Sequence, residues 1–382
     1  MEANIFKKPL PMIGKLDIDW ILFFSALCIS ILGLLTMNSF VGNNDFFFKQ
    51  TIWLIVSIIF FFVFSFFDFR FLRKTSVVVS IFVLAFFLLL ALFAVGKISK
   101  GAESWFNLGL FSFQPVEFVK LALIILLSKY FSRRHIEIAN IRHIIVSGLY
   151  AFLVFALVFL QPDFGSALVI LLIWLGMILV SGVSKKHLFV VFAIGIVAFA
   201  IFWGFALHDY QKERIINFLH PLADIRGAGY SAYQSTIAVG SGQILGKGVG
   251  YGTQSKLQFL PEYHTDFIFA AFAEEWGFVG VIILFGLLGT LLARLLFNSY
   301  YGATNFEILF GLGLSIFFMS HFIVNVGMNI GLMPVTGITF PFMSYGGTNL
   351  LISFSCLGIL MGMRKYRRAT HKDLMGNEFL GI

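Results

Sequence analysis

The stretch Thr75–Val95, TSVVVSIFVLAFFLLLALFAV, runs for 21 residues without a charge, a proline or a glycine. About 20 apolar residues in a helix cross the ~30 Å hydrocarbon core of a bilayer. Lipid offers the backbone no hydrogen-bond partners, so a segment of this kind crosses as a helix whose N–H and C=O groups pair within themselves. Basic residues bracket the run, with Arg70, Arg73 and Lys74 before it and Lys97 and Lys100 after it.

The rest of the chain has the same character. Of 382 residues, 59% are hydrophobic and 12% charged, and 50 are phenylalanine. A water-facing surface needs roughly a quarter of its residues charged, so lipid is the solvent for most of this molecule. Ten stretches read as spans, near 18–39, 50–67, 75–95, 115–131, 143–160, 166–183, 188–207, 267–292, 306–328 and 347–363. The expected fold is an all-α polytopic membrane protein in one integral domain. In the eighth stretch Glu274 and Glu275 interrupt the apolar run, so a short, partly buried helix ahead of Gly277 is an alternative start. The first stretch is too long for a signal-peptide core and is expected to remain as a span. Cys28 and Cys356 lie within apolar runs and read as small hydrophobes.

Lys and Arg concentrate on cytoplasmic flanks. With the N-terminus inside, the inner segments hold 18 of the 27 basic residues and the longer outer segments 8. Both termini are therefore expected in the cytoplasm. The net charge of +8 follows from this asymmetry and from anionic headgroups, and it gives no reason to invoke nucleic acid.

Three outer segments result: 96–114, the loop 208–265 between the seventh and eighth spans, and 329–346. The second is too long and too rich in aromatic and aliphatic residues for a simple linker. Tyr210 to Leu219 reads as an amphipathic piece at the interface. Eight glycines follow between Gly227 and Gly252, which permit close backbone approach. No internal repeat is evident, and so no inverted-repeat signature of a secondary transporter.

Candidate chemistry collects at the outer ends. Asp266, in LPEYHTDFIF, has Glu262, His264 and Thr265 as neighbours. It reads either as a base acting on a hydroxyl or as a cap for the helix that follows. Glu117 and Lys120, in QPVEFVK, share one helix face at i,i+3. Each is costly at membrane depth, so they form either a structural ion pair or a cavity-facing one. Asp163, in QPDFGS, is a cap for the sixth span or a cavity residue. Arg214, Arg226, Lys247 and Lys256 suit phosphate or lipid headgroups. Trp105, in GAESWFNLG, is an interfacial anchor or a stacking platform. His321 reads as an interior hydrogen-bonded histidine. Zinc spacing and a P-loop are both missing from the sequence, which argues against a dedicated metal cage and against ATP-driven work.

The strings GAESWFNLG, FQPVEFVK, QPDFGSALV, RIINFLHPLAD, GAGYSAYQS, GSGQILGKG, GTQSKLQFLPEYHTDFIFA, AEEWGFVG, MNIGLMPVTGI and PFMSYGG resemble, in order, the signature blocks of the SEDS family (shape, elongation, division and sporulation). GTQSKLQFLPE and the short tails are closer to its elongation branch. The resemblance implies an inverting peptidoglycan glycosyltransferase of the bacterial cytoplasmic membrane. It would polymerise lipid II on the outer face during elongation and rod-shape maintenance. By motif the family's catalytic aspartate falls on Asp266, its loop tryptophan on Trp105, its fourth-helix acid and base on Glu117 and Lys120, and its QPD aspartate on Asp163. Arg214, Arg226, Lys247 and His264 complete the expected substrate side. A Mg²⁺ or Mn²⁺ ion held mainly by the substrate pyrophosphate is implied as cofactor. Implied partners are lipid II, undecaprenyl-linked glycan, a class B penicillin-binding protein, other elongation-complex proteins and membrane lipids. Two positions depart from the family pattern: Ser104 stands where an arginine is usual, and Ile225 where a proline is common. A flippase of lipid-linked precursor and a non-catalytic scaffold are the rival readings.

Overall fold

The computed structural model describes residues 18–40, 45–95, 97–99, 102–107, 112–132, 141–205, 209–220, 227, 229–257 and 259–378. In chain order its helices are α1 (Trp20–Asn38), α2 (Asp45–Phe66), α3 (Thr75–Val95), α4 (Pro115–Ser132), α5 (Ile141–Leu160), α6 (Phe164–Val180), α7 (Lys185–Phe205), α8 (Asp209–Leu219), α9 (Tyr230–Ser241), α10 (Thr253–Lys256), α11 (Ile268–Tyr300), α12 (Asn305–Asn329) and α13 (Gly347–Glu378). Every stretch expected to span is helical. Seven of these helices, α1, α2, α3, α5, α11, α12 and the first part of α13, are long and apolar enough to cross a bilayer. Of the three remaining expected spans, α4 carries Glu117, Lys120 and Lys129, α6 is 17 residues long, and α7 qualifies only as a shorter apolar helix over Lys186–Val197. The amphipathic piece expected near 210–219 is α8.

Among the described residues, the strands lie in the segment between α3 and α4. It folds as a small antiparallel meander of β1 (Lys97–Ser99), β2 (Ala102–Asn107) and β3 (Ser112–Phe113), in which Trp105 pairs with Lys97 and Phe106 with Phe113. Its last strand is tied to α13, because Thr348 Oγ1 donates to the Ser112 carbonyl and accepts from the Gln114 amide.

Burial sorts the helices. In the apolar window of α2 only 22% of residues are buried, against 61% in α12 and 78% in α13. Residues Leu121 to Leu127 of α4 are all buried. Thus α4, α12 and α13 form the centre, with α13 packed on α2, and α12 on α4, α6 and α11. At one end a polar knot joins α1, α11 and α13. Asp19 caps α1 through Leu22 N (3.2 Å), pairs with Arg294 at 2.7 Å, accepts from Asn298 Nδ2 at 2.8 Å and lies 3.8 Å from Arg364. Burial raises the Asp19 carboxyl, but the bonds from Arg294, Asn298 and Leu22 outweigh it and leave the group below its ordinary value.

The two glutamates of the eighth span are explained by a break. Within α11, Gly277 has φ 65° and ψ −166°, a conformation essentially reserved for glycine, so a short helix 268–276 precedes the long one. The break frees backbone groups that must find partners. The turn between α9 and α10 supplies them. Gln243 and Ile244 carbonyls accept from Phe278 and Val279 N–H (2.9 and 3.1 Å), while Lys247 and Gly248 N–H donate to Glu274 and Glu275 carbonyls (both 3.0 Å). This packing needs bare backbone on both sides, since a Cβ on Gly277 would meet Gly246 N at 2.2 Å.

Candidate functional site

Asp266 is set by a turn and two asparagines. Glu262 adopts φ 49°, and its carbonyl accepts from the amides of Thr265, Asp266 and Phe267 at 3.1–3.3 Å. The helix that follows has Phe267 at its N-cap position, so Asp266 stands one residue ahead of the cap. The Asp266 carbonyl accepts from Asn325 Nδ2 (3.0 Å) and Asn329 Nδ2 (3.1 Å), both from α12. Asn329 Oδ1 also accepts from Ala270 N, and Asn325 Nδ2 donates to the Ile338 carbonyl. These fully buried asparagines, one turn apart in an apolar helix, were not singled out from the sequence. Their signal was there, since polar side chains at membrane depth normally face an interior and do specific work.

The loop 330–346 links Asp266 to the other expected residues. Gly337, at φ 78°, lies against the half-buried carboxyl of Asp266: a Cβ there would stand 3.5 Å from Oδ2. One residue earlier, the Thr336 carbonyl packs on Gly165, beside Asp163. Two residues later, the Thr339 carbonyl meets His321 Nδ1 at 3.2 Å. A carbonyl only accepts, so Nδ1 carries the proton and Nε2 is the acceptor in the neutral ring. That Nε2 lies 3.2 Å from Lys120 Nζ, which also donates to Glu117 Oε1 at 2.8 Å. Lys120 is fully buried and Glu117 nearly so, and Glu117 Oε2 is buried without a hydrogen-bond partner. Asp163 does cap α6, accepting from Ser166 N at 3.0 Å, and it also feels the charges of Lys120 and Glu117. Burial raises its carboxyl above the ordinary value, against the Ser166 bond and the Lys120 charge. Glu117, Lys120, His321 and Asp163, from α4, α12 and the start of α6, therefore form one polar nest, and the loop residues 336–339 run between it and Asp266.

His264 is stacked on Phe46 of α2 with ring centroids 4.0 Å apart. Its carbonyl accepts from Tyr345 N (2.8 Å), and Ser344 Oγ donates to the Thr265 carbonyl (2.7 Å). Trp105 lies in β2 of the meander attached beside Thr348. Arg214 is exposed on α8, apart from the nest, and Arg226 lies outside the described residues. Lys247 has a different task from the one its type suggested. Its ammonium pairs with the buried Glu274 at 2.7 Å and with Thr253 Oγ1 at 2.9 Å, locking the Gly277 break. Among the described residues no three His, Cys, Asp or Glu side chains gather as a metal cage.

The fold and the nest define a multi-pass helical membrane protein with a half-buried carboxylate, Asp266, joined through the loop 336–339 to a set of buried ionic groups. Residues 16–369 match the family described as cell cycle protein, FtsW/RodA/SpoVE. The chain belongs to that family, the SEDS proteins. It is 37% identical to peptidoglycan glycosyltransferase MrdB of Escherichia coli strain K12 over 294 residues, which covers 77% of this chain and 79% of that one. It is 38% identical to the probable peptidoglycan glycosyltransferase FtsW of Haemophilus influenzae over 289 residues, 74% and 72% of the two chains. Among solved structures, one described as structural coordination of polymerization and crosslinking by a peptidoglycan synthase complex superposes with TM-score 0.79. It is 32% identical and covers 92% of this chain and 99% of that one. The Rod shape determining protein RodA of Thermus thermophilus superposes at 0.70, with 30% identity over 92% and 98%.

Proposed function

We propose that this protein is an elongation-type peptidoglycan glycosyltransferase that polymerises lipid II on the outer face of the cytoplasmic membrane. The observation that carries the reading is the half-buried Asp266 carboxyl beside Gly337, on the loop that also meets the Glu117–Lys120–His321–Asp163 nest, in a family whose relatives bear that enzyme's name.

The chemistry follows from the groups. The 4-hydroxyl of an incoming lipid II sugar attacks the anomeric carbon of the lipid-linked glycan. The bond from that carbon to the pyrophosphate oxygen breaks, undecaprenyl pyrophosphate leaves, and the anomeric centre inverts. Asp266 accepts the hydroxyl proton as the new bond forms. Its half-buried position suits a base that must be reached by substrate yet held in a drier setting than bulk water. Lys120 retains one N–H beyond its bonds to Glu117 and His321, which suits it to developing phosphate charge. A divalent ion does not fit a protein cage here, since no ligand cluster is present among the described residues. Mg²⁺ or Mn²⁺ would arrive with the substrate's pyrophosphate oxygens. The polyprenyl tails stay between helices in the bilayer. A class B penicillin-binding protein is the proposed partner, supported by the likeness to a chain from a polymerising and crosslinking complex.

Purified protein incubated with labelled lipid II, with and without the transpeptidase, tests the reading. A ladder of glycan polymer on a gel is the expected result. Transbilayer movement of lipid II without any polymer would favour the flippase.

A further inference from the structure

The Gly277 break brings a second feature into view. Ile244 and Leu245, in the glycine-rich outer loop, are 68% and 80% exposed. Such side chains on a water-covered loop would be costly, at roughly 25 cal/mol per Å² of apolar surface. They are not placed at random. The Ile244 carbonyl accepts from Val279 N, so the pair stands beside Phe278 and Val279, and Ile282 and Ile283 continue the same exposed apolar flank down α11.

Two helices measure the depth of this turn. α1 rises from Asp19, in the polar knot at the far end, for 19 residues, roughly 28 Å at 1.5 Å per residue, close to the ~30 Å core. At its upper end Ser39 Oγ donates to Glu275 Oε1 at 2.5 Å, and the same oxygen accepts from Gly250 N at 3.0 Å. Glu275 and Gly250 therefore lie at the hydrocarbon edge. Phe278 and Val279, bonded to Gln243 and Ile244, lie about one helical turn deeper. Irregular backbone is tolerated at that depth only when its polar groups are satisfied. Five of this turn's groups have partners: the Gln243 and Ile244 carbonyls, and the Gly246, Lys247 and Gly248 amides, bond to α11 or to Gly242. Above the turn, Lys256 lies over the exposed Tyr251 ring at 5.9 Å, an aromatic and basic pair of the type found at headgroup level.

We infer that residues 243–248 form a re-entrant turn that inserts Ile244 and Leu245 into the acyl region of the leaflet on the Asp266 side, with lipid as the occupant of this face. The turn holds the short helix 268–276, which Asp266 precedes, at a fixed depth below the headgroups. The inference does not depend on the proposed reaction.

The test uses the full-length protein with Cys28→Ser and Cys356→Ala, reconstituted in phosphatidylethanolamine and phosphatidylglycerol vesicles. A nitroxide is attached at Leu245→Cys, and collision rates with oxygen and with a water-soluble nickel chelate are measured. Ile282→Cys is the lipid reference and Lys256→Cys the headgroup-level one. Leu245 is expected to match Ile282, with high oxygen and low nickel accessibility. Nickel accessibility equal to that of Lys256 would overturn the inference. So would protection that arises only when the transpeptidase is added, which would make the face a protein-docking surface. If the labelled variant fails to fold, Leu245→Trp quenched by brominated lipids gives the same discrimination. Quenching no stronger for bromines in the upper acyl chain than for an aqueous quencher would count against insertion.

Discussion

Lys120 is the residue whose loss tests the nest most severely. Its ammonium is fully buried, 2.8 Å from Glu117 Oε1 and 3.2 Å from His321 Nε2. In Lys120→Met the Glu117 carboxylate stays in the interior without a counter-charge, and breaking a buried pair in this way costs about 3–5 kcal/mol. His321→Leu removes the acceptor of a charge-assisted hydrogen bond, worth about 1.5–3 kcal/mol, together with the donor to the Thr339 carbonyl. Glu117→Gln combined with Lys120→Met removes both charges, so its cost should fall short of the sum of the singles by about 1–3 kcal/mol. His321→Gln keeps an acceptor for Lys120 and a donor for the Thr339 carbonyl, and should be close to neutral. Unfolding in detergent followed by tryptophan fluorescence gives the stabilities, and polymer yield from lipid II gives the activity. Singles that each cost less than about 0.5 kcal/mol and add without coupling would refute the buried, paired arrangement.

Three further outcomes follow from other parts of the structure. Gly277→Ala, at φ 65° and with its Cβ 2.2 Å from Gly246 N, should cost about 2–4 kcal/mol and open the outer loop to protease before the helices unfold. Asp19 has a folded-state carboxyl below its ordinary value, so its stabilisation is present above that value and is lost as pH falls through the lowered one. Asp19→Asn should flatten the acid limb of the stability profile, and an unchanged limb would remove Asp19 as its source. In intact spheroplasts an impermeant thiol reagent should label Lys256→Cys, placing the Asp266 end outside. Labelling only after lysis would reverse the orientation.

The spans were legible because the demand on them is local: an apolar run of sufficient length must be a helix in lipid, whatever its neighbours. Asp163 as a cap and Glu117 with Lys120 at i,i+3 were likewise readable from short spacings. Other features depend on contacts distant in sequence. Lys247 reads as a free cation until Glu274, 27 residues on, is seen beneath it. His321 reads as an interior histidine, and it is one, yet its ring bonds to Lys120 from 201 residues away. The glycines of the outer loop announced close approach without naming the surface approached, which is the broken backbone at Gly277. The β meander carries Trp105 on strands too short for their pattern to outweigh the surrounding turns.

The central claim is that Asp266 takes the proton from the attacking hydroxyl. Asp266→Asn keeps the shape of the side chain, and the Asn325 and Asn329 contacts are to the backbone carbonyl, so folding and partner binding should be unchanged. Polymerisation of labelled lipid II by the purified variant, in complex with its transpeptidase, should fall by about 10²–10⁴-fold, the range expected for loss of a general base. A correctly folded Asp266→Asn protein that builds glycan at the rate of the unmodified enzyme would contradict the account.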